Sequence, residues 1–134
     1  MSILDLNFQD VYEPELIPDG TEITLTIRSA ELVKTKSQAN DMLNVVLYDA
    51  SNPKTAPFTE RLVIPSEADK AADLAKWNNK MRRIQNFMTC FNLQSNGVDP
   101  AEAFPGATGT VIVREEEDET YGKQNSVRKF VVGH

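Results

Sequence analysis

The feature that most constrains this chain is an alternation that slips by one residue. After Pro18-Asp19-Gly20, a turn signal, Ile23, Leu25 and Ile27 alternate with Thr24, Thr26 and Arg28, the pattern of a half-buried strand rich in β-branched residues. The apolar phase then moves to Ala30 and Leu32. Strand side chains point alternately to opposite faces, so a slip inside a long strand predicts a bulge that bends it. The first strand of a small barrel needs such a bend to take part in both halves of its sheet.

Polar residues from Lys34 to Asp41 predict a first loop. A second strand follows, with Leu43, Val45 and Leu47 alternating with Asn44, Val46 and Tyr48. Residues Asp49 to Pro57, including Ser51-Asn52-Pro53, connect it to a third strand, where Leu62 and Ile64 alternate with Arg61 and Val63 until Pro65. Ser66 can cap a helix, with Asp69 three residues on as a weaker version of the capping-box acid. Leu74, Trp77, Met81, Ile84, Met88 and Phe91 then fall three or four apart on one apolar stripe, with a stop expected before Asn96-Gly97. Beyond Pro100 and Pro105, Thr110 to Arg114 read as a fourth strand. An acidic turn around Asp118 to Gly122 leads into a fifth, Ser126 to Val132, whose inward phase the pattern does not assign. Three strands, a helix and two strands is the order of an OB-fold, a five-stranded β-barrel with an amphipathic helix between strands 3 and 4. Residues 1–19 read as an N-terminal arm packed on this domain, and residues 20–134 as the domain itself.

A chain of 134 residues suits one domain. No apolar run approaches the ~20 residues needed to cross a bilayer, and Met1-Ser2-Ile3-Leu4-Asp5-Leu6 has no basic region ahead of an apolar one, so a soluble cytoplasmic protein is expected. The single cysteine, Cys90, can form no internal disulfide. The net charge of −6 argues against a nucleic-acid ligand, but its distribution changes that. Residues 1–22 hold Asp5, Asp10, Glu13, Glu15, Asp19 and Glu22 with no Lys or Arg, and Glu115 to Glu119 add five acids in a run. Removing those eleven from twenty leaves nine acids against fourteen bases, so the remaining body is cationic.

No catalytic constellation emerges. His134 is the last residue and the only imidazole, without a companion for a triad or a metal. Cys90, between Met88 and Phe91, reads as a small buried hydrophobe. Neighbours in Glu115-Glu116-Glu117-Asp118-Glu119 alternate in direction and lack calcium-loop spacing, so a solvated hairpin tip is expected. Pro105-Gly106-Ala107-Thr108-Gly109-Thr110 resembles a phosphate loop but leads into a strand, where no helix N-terminus supplies amides. Gly122-Lys123 lacks the Walker spacing. No enzyme, metal or cofactor is expected.

Binding a single strand needs cations tracking phosphates and planar groups on which bases stack. In OB-folds these lie on strands 2 and 3 and on the loops joining strands 1–2 and 4–5. There the sequence supplies Lys34, Lys36, Gln38 and Asn40 in the first loop, Asn44 and Tyr48 on strand 2, and Arg61 on strand 3. The last hairpin adds Tyr121, Lys123, Gln124, Asn125, Arg128 and Lys129. Tyr48 suits stacking and ordinary strand packing equally, and Lys76, Lys80 and Arg83 read as the solvated side of the helix. The expected function is sequence-tolerant binding of single-stranded DNA, with Glu115 to Glu119 competing with phosphate beside the groove. A protein-interaction module, favoured by the acidic arm, is the alternative. The oligomeric state is left open.

The path from Pro18-Asp19-Gly20 through the polar hairpin and central helix continues to Phe104-Pro105-Gly106, Val111-Ile112-Val113 and Tyr121-Gly122-Lys123-Gln124-Asn125-Ser126-Val127. Over residues 18–132 it resembles a family of small bacteriophage proteins, long described only as a domain of unknown function and regarded as OB-fold single-stranded DNA-binding proteins. The resemblance implies an accessory of phage DNA replication or recombination that coats exposed strands in the host cytoplasm, with replication or recombination proteins as further partners. Many single-strand binders end in an acidic tail that recruits partners. This chain ends Arg128-Lys129-Phe130-Val131-Val132-Gly133-His134, so recruitment through such a tail is not expected.

Overall fold

In the computed structural model, which describes residues 2–37 and 40–132, the long first strand is β1 (Glu22–Lys34). Its register against β2 (Asp41–Tyr48) shifts between Ile27 and Ser29, as the phase slip predicts. The bulge leaves Arg28 and Ser29 both exposed while Leu25, Ile27 and Ala30 are buried. Before the bulge, Glu22 to Thr26 pair with β4 (Thr108–Asp118), so the bend lets one strand serve two neighbours. Leu32 departs from expectation and is 51% exposed. The ladder with β4 ends at Thr26, so the far half of β1 has a strand on one side only.

With β3 (Phe58–Ile64) and β5 (Gly122–Phe130), the strands form one antiparallel sheet in the order β3-β2-β1-β4-β5. β3 and β5 are its edges, and among the described residues no ladder joins them. The fold is thus mostly β, a five-stranded sheet with helices between β3 and β4, and the sheet is not closed. Strands 4 and 5 are longer than the alternation suggests: Glu115, Glu116, Glu117 and Asp118 belong to the ladder, opposite Asn125, Gln124, Lys123 and Gly122. A second register shift between Ile112 and Val113 explains the unreadable phase of β5. Asn125, Val127 and Phe130 point inward, and Arg128 and Lys129 both remain outside.

The single expected helix is three. Ser66 caps α1 (Glu67–Ala72) through a complete capping box with Asp69, but Asp73 takes an extended conformation and ends it. The same Asp73 caps α2 (Leu74–Cys90) by accepting the Lys76 amide at 3.1 Å. α2 stops earlier than Asn96-Gly97, because Asn92 adopts a left-handed φ of 54° and the Leu93 amide returns to the Met88 carbonyl at 2.8 Å. A short α3 (Pro100–Ala103) follows.

The core lies between the sheet and the C-terminal half of α2. Phe87, Phe91, Phe104 and Phe130 pack there, with the Phe87 ring centroid 5.3 to 6.2 Å from the other three. The apolar stripe read from the sequence is rotated from the core: Phe87, outside that stripe, is fully buried, and Leu74, within it, is 61% exposed. Gly109 lets α2 approach β4, since a Cβ there would lie 2.8 Å from the Cys90 Sγ and 2.9 Å from its carbonyl oxygen. Gly106, ahead of β4, therefore serves a turn, and Gly109, within β4, a close packing contact. The arm is also less packed than expected. Ile17 is buried, but Ile3, Leu4, Leu6, Phe8 and Val11 are exposed.

Candidate nucleic-acid interface

The seam between β3 and β5 is bridged by side chains. Glu60 follows the inward phase of Phe58 and Leu62, so its carboxylate is buried with them. It accepts the Val127 amide with one oxygen and the Arg83 guanidinium with the other, at 3.3 Å. Arg83 also donates to the Val127 carbonyl at 2.9 Å and lies 5.0 Å from the Phe130 ring centre. Burial pushes the Glu60 carboxyl above its ordinary value, against the Val127 amide and Arg83, which pull it down. Arg83 therefore departs from the solvated-surface reading: it is half-buried and holds the seam.

Grooves lie on either side of this bridge. One, of about 240 Å³, runs between Phe58, Thr59 and Arg61 of β3 and Lys123, Gln124 and Asn125 of β5. The other, of about 250 Å³, is lined by Arg82 and Arg83 of α2 and by Arg128 and Lys129 of β5. Neither lining contains a carboxylate. The β5 bulge turns both Arg128 and Lys129 outward, so β5 supplies two of the four cations that line the second groove. Arg128 shares its charge with Asp19 at 3.7 Å.

A third groove, of about 280 Å³, shares Ala56 and Pro57 with the first and opens toward β1 and β2. There the Arg28 guanidinium lies 4.9 Å from the Tyr48 ring centre, and Lys54 lies 5.8 Å from that of Tyr12. Such cation–aromatic pairs present flat faces beside positive charge, a combination suited to stacked bases. The sequence pattern does not single out Arg28, Lys54, Tyr12 or Arg82 as site residues. The β1 bulge is the signal that could have flagged Arg28, because it forces two successive residues outward.

The remaining expected site residues divide. Lys34 is paired with Asp41 at 2.6 Å, and Lys36 is exposed in the turn after β1. Asn40 is turned inward on the chain, donating to the Ile64 carbonyl and to Asp69. Asn44 stands between Glu31 and Arg61 across the sheet, its Oδ1 buried with no hydrogen-bond partner among the described residues. Tyr121 is 80% exposed at the hairpin tip, two residues before Lys123 and outside the three grooves. Asn125 lines the first groove, but its amide is engaged. Its Oδ1 accepts the Ile17 amide and its Nδ2 donates to the Ile17 carbonyl, both at 2.9 Å, and also to the Arg114 carbonyl. Asn125 is thus an arm clamp first, a correction to its reading as a ligand contact. Gln38 and His134 lie outside the described residues.

The acidic run is a strand segment more than a tip. Glu117 stands opposite Lys123 in the ladder and Arg114 pairs with Glu116 at 2.8 Å, and neither carboxylate lines the first groove. Cys90 is half-buried, donating to the Thr110 carbonyl at 3.2 Å, and burial raises its thiol pKa. Among the described residues, no three His, Cys, Asp or Glu side chains group to hold a metal, and no helix is long and apolar enough to cross a membrane. No family model matches the chain, and no curated protein matches it significantly.

Proposed function

We propose that this protein is an OB-fold single-stranded DNA-binding protein with little sequence preference. The observation that carries the reading is the pair of carboxylate-free grooves flanking the β3–β5 bridge in a protein of net charge −6. Arg61 and Lys123 on one side, and Arg82, Arg128 and Lys129 on the other, would follow successive phosphates, while Tyr48 and Arg28 offer a stacking platform on the adjoining face. The OB-fold assignment draws on the bent β1, the strand order and the position of α2. The resemblance to small phage proteins supplies the setting: an accessory of phage DNA replication or recombination, acting in the host cytoplasm.

Fluorescence anisotropy with labelled single-stranded DNA and a matched RNA over a salt series tests this. The expected result is binding that weakens steeply with salt. No binding to either strand at low salt would reject the reading. A protein-interaction module is the second reading, favoured by the exposed acidic and apolar arm. A nuclease-resistant stoichiometric partner, with no affinity for single strands, would support it.

A further inference from the structure

α2 is anchored in the core on one side and uncovered on another. Phe87 and Phe91 face the core, while Trp77, Met81, Ile84 and Met88 are only half-buried. Met81, Ile84, Met88 and Leu93, with Gln85, Thr89, Asn92 and Ser95 among them, line a groove of about 470 Å³. The helix carrying it has Lys76, Lys80, Arg82 and Arg83 and no acid. Elsewhere the chain has the complementary element. Ile3, Leu4, Leu6, Phe8 and Val11 are between 62% and 85% exposed, an unusual density of large apolar side chains with nothing to cover them. Between them stand Asp5 and Asp10, with Glu13 just beyond and no basic residue.

We propose that the arm of one copy of this chain lies along the α2 groove of a second copy. Apolar side chains of the arm would fill the Met81–Ile84–Met88–Leu93 groove, and Asp5 and Asp10 would meet the basic flanks of the helix. In its own chain the arm is tied elsewhere: Glu15 bridges Thr55, and the Tyr12 hydroxyl donates to the Pro53 carbonyl at 3.4 Å. Residues 2–11 project beyond that anchor, and ten extended residues reach roughly 35 Å. That span suffices to cross to a neighbour. The lining of this groove shares no residue with those of the DNA grooves, so both surfaces can be occupied together. Neighbours joined this way would coat a strand cooperatively, but self-association is read without DNA and stands apart from that function.

Sedimentation equilibrium of the full chain tests the proposal, beside a variant lacking residues 2–11 and a Met81→Asp/Met88→Asp variant. The full chain is expected to associate, and each variant to lose at least tenfold in association constant. Mixing the two variants should restore a one-to-one complex, because one keeps the groove and the other keeps the arm. Lys76→Glu/Lys80→Glu, on exposed positions that leave the core untouched, should weaken association if the acidic arm is the occupant. A monomeric full chain would overturn the proposal. So would a truncated chain that still associates, or mixed variants that fail to combine while circular dichroism shows both folded.

Discussion

The Val127 amide donates to the Glu60 carboxylate, so a side chain supplies the link between two edge strands that a backbone ladder would otherwise make. Replacing Glu60 by Leu strands that amide and the facing Arg83 charge. The expected cost is about 2–3 kcal/mol, at the low end for a broken buried pair because Arg83 keeps 37% of its side chain in solvent. Urea unfolding checks this.

The pH dependence of the same group has a definite sign. Its folded pKa is raised above the ordinary value of 4.5 by burial, so its contribution to stability is complete below that pH and is lost as pH rises through the folded value. Glu60→Gln removes the titration. Relative to Glu60→Gln, the native protein should therefore lose stability as pH rises above about 4.5, and a flat difference would contradict the assignment.

Arg61→Ala/Lys123→Ala is expected to weaken single-strand binding uniformly across sequences. The slope of log affinity against log salt should fall by ~0.7 for each phosphate that is no longer neutralised. Conversely, Glu117→Gln removes a negative charge from the position opposite Lys123 in the ladder and should tighten binding a few-fold at low salt, an effect that added salt erases. Replacing all of Glu115 to Glu119 by Gln or Asn should extend the trend, as anisotropy would show.

Asn125→Ala should lower stability by about 1–3 kcal/mol, since it orphans both backbone groups of Ile17. At temperatures where the variant is folded, its DNA affinity should match that of the native chain. An affinity loss without a stability loss would return Asn125 to the ligand.

Gly109→Ala forces a methyl group against the Cys90 carbonyl and Sγ, and the backbone of α2 cannot rotate away as a flexible side chain would. A destabilisation of about 1–3 kcal/mol is expected from this overpacking. Thermal and urea unfolding would both register it.

Much of the framework is local and was legible in residue order. The slip from Ile27 to Ala30 marks the bulge, Ser66 and Asp69 form the box that starts α1, and Pro18-Asp19-Gly20 turns into β1 with Gly20 at a φ of 82°. The site was legible in part. Arg61, read from its outward phase, and Lys123 line one groove, and Arg128 and Lys129 line another, these three read from their charge and place in the last hairpin. Asn125 and Arg83 could not be judged that way. A buried amide and a surface amide look alike in a sequence, and the helix flank reads as solvated until Glu60 is found beneath it.

Residue order alone therefore determined where the backbone alternates, bends, caps and turns, because those depend on dihedral preferences and side-chain spacing within a few residues. Tertiary structure alone decided which side of α2 meets the core, that Glu60 bridges β3 to Val127, and that cations distant in the chain share grooves free of acids. Those outcomes depend on sheet twist and helix docking, which bring together residues that no local pattern connects.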